Sequence, residues 1–106
     1  MLGVTDSSRP TELAETEMLD RRLAVPDHVV YRAFAEQVVL LNLDTGKYHG
    51  LNPTGGAMLD ALGRAEDVRG AAAIVAAELD HPQAEVEQDF AGLCEQLLDR
   101  GLLEPR

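Results

Sequence analysis

The chain has 106 residues, a hydrophobic fraction of 45% and a formal net charge of −10, set by 19 acidic against nine basic side chains. That length fits one small domain, and with two Phe, two Tyr and no Trp its core must be built from aliphatic residues. So acidic a chain is a poor partner for nucleic acid or an anionic membrane, because such binding draws on Lys and Arg neutralising phosphates. No run of about 18 apolar residues is present, and the N-terminus lacks the basic-then-apolar order of a signal peptide. The single cysteine, Cys94, excludes an internal disulfide and fits a reducing compartment. The expectation is a soluble, cytoplasmic protein.

Residues 1–26 differ from the rest. They begin with polar, turn-rich "GVTDSSRPTE" and continue as "LAETEMLDRRLAV", where Leu19 and Leu23 are one turn apart but Glu17 and Asp20 interrupt the apolar stripe. This segment reads as a flexible or marginally helical arm, since a short isolated helix is unstable in water without a docking surface. The ordered domain is expected to span residues 27–106.

"HVVYRAF" and "QVVLLNL" are rich in β-branched and aromatic residues, and Ala35 and Glu36 form the turn between them. The following "LDTGK" suits a three-residue hairpin loop with a bulge, Asp44 bonding the turn backbone and Gly46 taking positive φ. "KYHGL" is then the third strand of an antiparallel meander whose first and third strands are edges. The middle strand is apolar on both faces, with Val39, Leu41 and Leu43 on one and Val38 and Leu40 on the other. One face must pack on helices. The other needs a cover, either the N-terminal arm or a second subunit in a homodimer.

After Leu51 the hydrophobic period becomes helical. Asn52 is a good N-cap, Pro53 suits the first helical position, Met58 and Leu62 share a face, and Gly63 ends the helix. Gly55 and Gly56 each weaken a helix by about 1 kcal/mol relative to Ala, which points to a close approach at that turn. Asp67 caps a second helix bearing Val68, Ala72, Val75 and Leu79, broken at "DHP". A third helix from about Gln83 to Arg100 carries Val86, Phe90, Leu93 and Leu97, and Gly101 terminates it. The fold class is therefore α+β: a three-stranded antiparallel sheet followed by three helices, winged-helix-like.

Chemistry-bearing residues are sparse. His28, His49, His81 and Cys94 stand apart, without the close pairings of a metal site. Cys94 lies mid-helix beside the apolar stripe, where a free cysteine behaves as a small hydrophobe. "NPTGG" is not followed by the Lys-Ser/Thr of a phosphate loop. A DNA-reading winged helix would insert its third helix into a groove, yet that helix carries five acidic residues and one basic residue. No catalytic residue, metal or cofactor is assigned.

The string "VVLLNLDTGKYHGLNPTGGAMLDAL", with "VRGAAAIVAAEL" and "VEQDFAGLCEQLLDRGLL" after it, resembles the PqqD family, the precursor-peptide recognition elements of cofactor and lasso-peptide biosynthesis. The similarity runs from about Val29 to Leu103 and is most specific from Asp44 to Leu62. Met58 stands where relatives sharing this run often carry Trp, and the N-terminal arm is not required by the family core. The resemblance implies a non-catalytic peptide chaperone that binds the leader of a ribosomally made precursor as a fourth strand beside strand three. It would present the peptide to a tailoring enzyme: a leader protease, cyclase or radical enzyme. Carried onto this sequence, the peptide-binding residues are Lys47, Tyr48, His49, Gly50 and Leu51 of the strand, and Val86, Asp89, Phe90, Leu93, Gln96 and Leu97 of the third helix. The mechanics agree with an open edge, which offers main-chain hydrogen bonds and is guarded here only by Lys47. Gly50 would let a second backbone lie close. The alternative from another class is a winged-helix-like structural or regulatory protein-interaction domain.

Overall fold

The computed structural model describes residues 15–106. Three strands, β2 (Val29–Ala33), β3 (Val38–Asn42) and β4 (Tyr48–Leu51), form an antiparallel sheet in the order β2-β3-β4. Three helices follow: α2 (Pro53–Leu62), α3 (Val68–Leu79) and α4 (Gln83–Asp99). Before the sheet, residues 15–19 are helical (α1) and lead into a two-residue strand, β1 (Leu23–Ala24). Beyond α4, β5 (Glu104–Pro105) pairs antiparallel with β1 as a separate ladder.

Alternation along the strands sets the layers. Partners across the ladders share a face, so Val29, Val38, Leu40, Asn42 and Leu51 turn toward the helices and are buried, whereas Val30, Arg32, Val39, Leu41, Tyr48 and Gly50 turn outward. Among the helices it is α2 that makes the main contact with the sheet, and α3 and α4 pack on α2 and on each other. The core is aliphatic around one aromatic ring, Phe90, with Leu40, Leu59, Val68, Val75 and Leu97 almost wholly excluded from water.

The caps follow sequence chemistry. Asn52 Oδ1 accepts the Gly55 N–H at 2.7 Å, and Asp67 Oδ1 accepts the Gly70 N–H at 2.8 Å, each satisfying a donor left free in a first turn. At the end of α4, Gly101 takes φ +73. The Leu102 N–H then reaches the Leu97 carbonyl at 2.8 Å and the Gly101 N–H reaches that of Leu98 at 3.1 Å, a Schellman closure. Gly63 closes α2 differently, in right-handed conformation (φ −74, ψ −13). In α3 the apolar stripe shifts from the expected set: Val68, Ala72 and Val75 are buried along with Ala71 and Ala76, and Leu79 is left 37% exposed.

Two further local expectations are corrected. The β3–β4 loop holds four residues, 43–46, because the Asn42 N–H donates to the Lys47 carbonyl at 2.9 Å and the Gly46 N–H to the Asn42 carbonyl at 2.7 Å. Gly46 has the expected positive φ, +75. The side chain that organises the turn is Asn42 rather than Asp44: its Oδ1 accepts the N–H groups of Asp44 at 2.9 Å and Thr45 at 3.3 Å.

The packed unit also begins before Asp27. Residues 1–14 of the expected arm lie outside the described residues, but Met18, Leu19 and Leu23 are buried in the core, Leu23 to 1% exposure. Leu19 and Leu23 need no common helical face, because α1 ends between them and β1 turns Leu23 inward. The segment is fixed by the Val68 N–H donating to the Arg21 carbonyl at 3.0 Å and by Arg69 bonding Asp20 Oδ1 at 2.9 Å. It therefore docks at the start of α3.

Candidate functional site: the open edge of β4 and the cleft beside α4

The bond from Asn42 N–H to Lys47 carbonyl fixes the phase of the β3–β4 ladder. In an antiparallel pair, residues alternate between facing the partner and facing away with their N–H and C=O groups. With Leu40 opposite His49 and Val38 opposite Leu51, it is Tyr48 and Gly50 that direct both backbone groups away from β3. β4 is an edge of the sheet, so these donors and acceptors open onto free space. Its ladder runs through Gly50 in unbroken register, opposite Val39 and without a bulge. A Cβ on Gly50 would meet only Gln37 Oε1, at 3.1 Å on the outer face. The glycine thus keeps the edge slim and leaves the β3 contact untouched.

Side chains of the same strand fall on both faces. His49 and Leu51 point toward the helices, where β4 and α4 do not close on each other. The gap is a cleft of about 450 Å³ walled by His49, Leu51, Asn52, Thr54 and Met58 on one side and by Asp89, Leu93 and Gln96 on the other. His49 also borders an adjoining hollow of about 270 Å³ with Thr45, Lys47, Tyr48, Arg100 and Leu102. The groove is therefore polar at both ends and of opposite sign: Lys47 and Arg100 at one, Asp89 at the other. None of these three charges has an ion-pair partner among the described residues. Burial, followed by the field of Arg100, lowers the pKa of His49 below its ordinary 6.5.

The eleven residues expected at a peptide site separate into three groups. His49, Gly50, Leu51, Asp89, Leu93 and Gln96 converge on the cleft. Lys47 and Tyr48 border the adjoining hollow, with the Tyr48 ring 73% exposed and on the outer side of the sheet. Val86, Phe90 and Leu97 are core residues, exposed by 5%, 1% and 1%, and none of them lines the cleft. They lie on the stripe of α4 that packs inward, while Asp89, Leu93 and Gln96 lie on the adjoining stripe that faces β4. Residues that the sequence reading passed over are Asn52, Thr54, Met58 and Arg100. Their signal was positional: Asn52, Thr54 and Arg100 sit within one turn of a helix end, and Met58 lies one turn beyond Thr54 in α2.

Among the described residues no group of His, Cys, Asp and Glu is arranged to hold a metal ion, and no helix is long and apolar enough to cross a membrane. Cys94 is buried in the core, and burial pushes its thiol up to about 12.

The fold has known counterparts. The sequence profile described as "Coenzyme PQQ synthesis protein D (PqqD)" matches residues 37–103. A solved structure titled "TbiB1 in Complex with the TbiA(beta) Leader Peptide" is 30% identical, with a TM-score of 0.68 over 76% of this chain and 94% of that one. Another, "Lasso peptide synthetase B1 complexed with the leader peptide", is 21% identical with a TM-score of 0.69, covering 79% of this chain and 99% of the other; at that identity it speaks for the fold. No curated protein sequence matches the chain.

Proposed function

Because the chain belongs to the PqqD family, we propose that it is a peptide-binding module that takes up the leader of a ribosomally made precursor by strand addition to β4 and presents it, without catalysis of its own, to a modifying enzyme or leader protease. The observation that carries this reading is the outward-directed backbone of Tyr48 and Gly50 beside an open cleft. An added strand would exchange main-chain bonds with those two residues. Every second side chain of the peptide would then enter the cleft, against His49, Leu51, Leu93 and Gln96, with Asp89 available to a basic group or a backbone N–H. Lys47 marks the mouth of the groove, and Val86, Phe90 and Leu97 support its floor from the core. The 30%-identical counterpart is a complex with a leader peptide, which supports the assignment of the ligand class.

The test is calorimetry with the synthetic leader of the precursor encoded beside this chain. Binding is expected with a dissociation constant of roughly 10 µM or tighter, about −7 kcal/mol. Gly50→Pro removes an edge N–H and adds a ring there, while the bonds to β3 come from the neighbouring residues; the variant should keep its circular dichroism spectrum and lose the peptide. Absence of binding by the native chain, or undiminished binding by a folded Gly50→Pro variant, would overturn strand addition.

A further inference from the structure

The two ends of the groove differ in sign, and the chain spends scarce charge to make them differ. At one end Lys47 and Arg100 share a hollow with Thr45, Tyr48, His49 and Leu102, and no carboxylate lines it, although the chain has 19 acidic residues against nine basic. Neither cation is used by the fold. Arg64 and Arg69 hold ion pairs, whereas Lys47 and Arg100 hold none among the described residues, even with Asp44 and Asp99 near them in sequence. Arg100 reaches the groove: it lines the hollow, and after burial its charge is the further cause of the lowered His49 pKa. A helix C-terminus ordinarily repels an anion, but the carbonyls of Gln96, Leu97 and Leu98 are taken by the N–H groups of Arg100, Leu102 and Gly101. The hollow is furnished for a carboxylate. The other end is acidic: Asp89 borders the cleft, and Glu85 stands one helical turn before it on α4.

The order of these charges follows from the elements that carry them. α4 runs from Asp89 to Arg100, while β4 runs the opposite way, from Tyr48 in the hollow with Arg100 to Leu51 in the cleft with Asp89. Both ladders of the sheet are antiparallel, the pairing that is more stable per residue. A strand that continues this pattern on β4 runs alongside α4 in the same direction, with its N-terminal part at the acidic end. About 16 Å of helix separates Asp89 from Arg100, a span that an extended peptide covers in about five residues. We infer that the hollow is a carboxylate subsite of the groove: the leader lies antiparallel to β4, with a Lys or Arg at Asp89 and, about four to six residues later, an Asp or Glu held by Lys47 and Arg100. The inference rests on the peptide-binding reading and adds to it the ligand's charge order and direction. Main-chain bonds alone allow a strand to slip along an edge, and a slip of two residues would keep those bonds while parting both charge pairs. The protein charges are exposed, so each pair is modest and screened by salt; what the pairs supply is register.

The test uses the full chain and the synthetic leader of the precursor encoded beside it, with calorimetry at about 50 mM and about 300 mM salt. Arg100→Glu should weaken leader binding about tenfold at the lower salt and Lys47→Glu about threefold, with smaller losses at the higher salt. Each acidic residue of the leader is then changed to Lys in turn. One such peptide should bind the native chain more weakly yet bind Arg100→Glu better than the native leader does. Asp89→Lys should be rescued in the same way by changing a leader Lys or Arg, about four to six residues earlier, to Glu. A variant that merely folded badly would lose both peptides alike. A nitroxide placed just before that basic residue should broaden the amide signals of Thr54 and Asp89 and spare those of Thr45 and Arg100. Failure of the native chain to bind leader would sink the peptide-binding reading itself. Leader binding that is indifferent to Arg100→Glu and Lys47→Glu, or a loss that no charge-changed leader restores, would overturn the subsite alone. Broadening at Thr45 and Arg100 instead would overturn the direction.

Discussion

Gly56 lies against the side chain of Val38 so closely that a Cβ on the glycine would overlap Val38 Cγ2. This contact sets how deeply α2 sits on β3, and α2 is the helix through which the others reach the sheet. Alanine is the better helix former by about 1 kcal/mol, yet the overlap should outweigh that preference. Gly56→Ala is expected to lower stability by about 1–3 kcal/mol in urea denaturation. Pairing it with Val38→Ala should cost less than the sum of the two single changes, since the overlap is then gone.

Asn42→Ala should destabilise the chain by roughly 1–2 kcal/mol, because its Oδ1 accepts two turn N–H groups from a nearly buried position. Asp44→Ala should change stability by no more than about 0.5 kcal/mol, as expected of a surface residue. Equal losses in the two variants, measured by the same denaturation, would contradict the assignment of the turn to Asn42.

That pair also shows where sequence reading stops. Local chemistry was legible: Asn52 and Asp67 cap their helices, Gly46 and Gly101 have positive φ, and the three sheet strands fall within a residue of the expected runs. Asn42 and Asp44 are equally able to bond a turn, and only the loop length selects between them. The docking of Met18, Leu19 and Leu23 was hidden for a different reason. Their burial depends on β5 and the start of α3, partners far along the chain that no local period encodes. In the cleft, α4 carries two adjacent apolar stripes; periodicity finds both but cannot say that Phe90 turns inward while Leu93 borders the opening.

His49 should give stability a measurable acid limb. Its pKa in the folded chain lies below the 6.5 of an exposed histidine, so the unfolded chain takes up this proton first as pH falls. The contribution is intact above about pH 6.5 and declines as pH drops toward the folded value. Denaturation at pH 7.5 and pH 5.5 should show a smaller loss for His49→Gln than for the native chain. In an NMR titration, Arg100→Gln should move the His49 pKa upward; an unchanged value would remove Arg100 as a cause.

Cys94 should be inert in the folded state. With its thiol pushed up to about 12 and its side chain buried, the thiolate fraction at pH 8 is on the order of 1 in 10,000. Iodoacetamide should label it only through unfolding, so the labelling rate should rise with urea in step with the unfolded population. Fast labelling in native buffer would show that the helix opens locally.

The pairing of Leu23 with Pro105 and of Ala24 with Glu104 has a bearing on biosynthesis. Leu23 and Ala24, early in the domain, find their strand partners in residues 104–105, which leave the ribosome after the rest of it. The sheet and α2 can assemble during translation from neighbouring segments, but Leu23 has to wait for the far end of the domain. Until that end arrives, the early apolar residues are surface that a nascent-chain chaperone can hold, and the module becomes fully packed only when translation of it is nearly over.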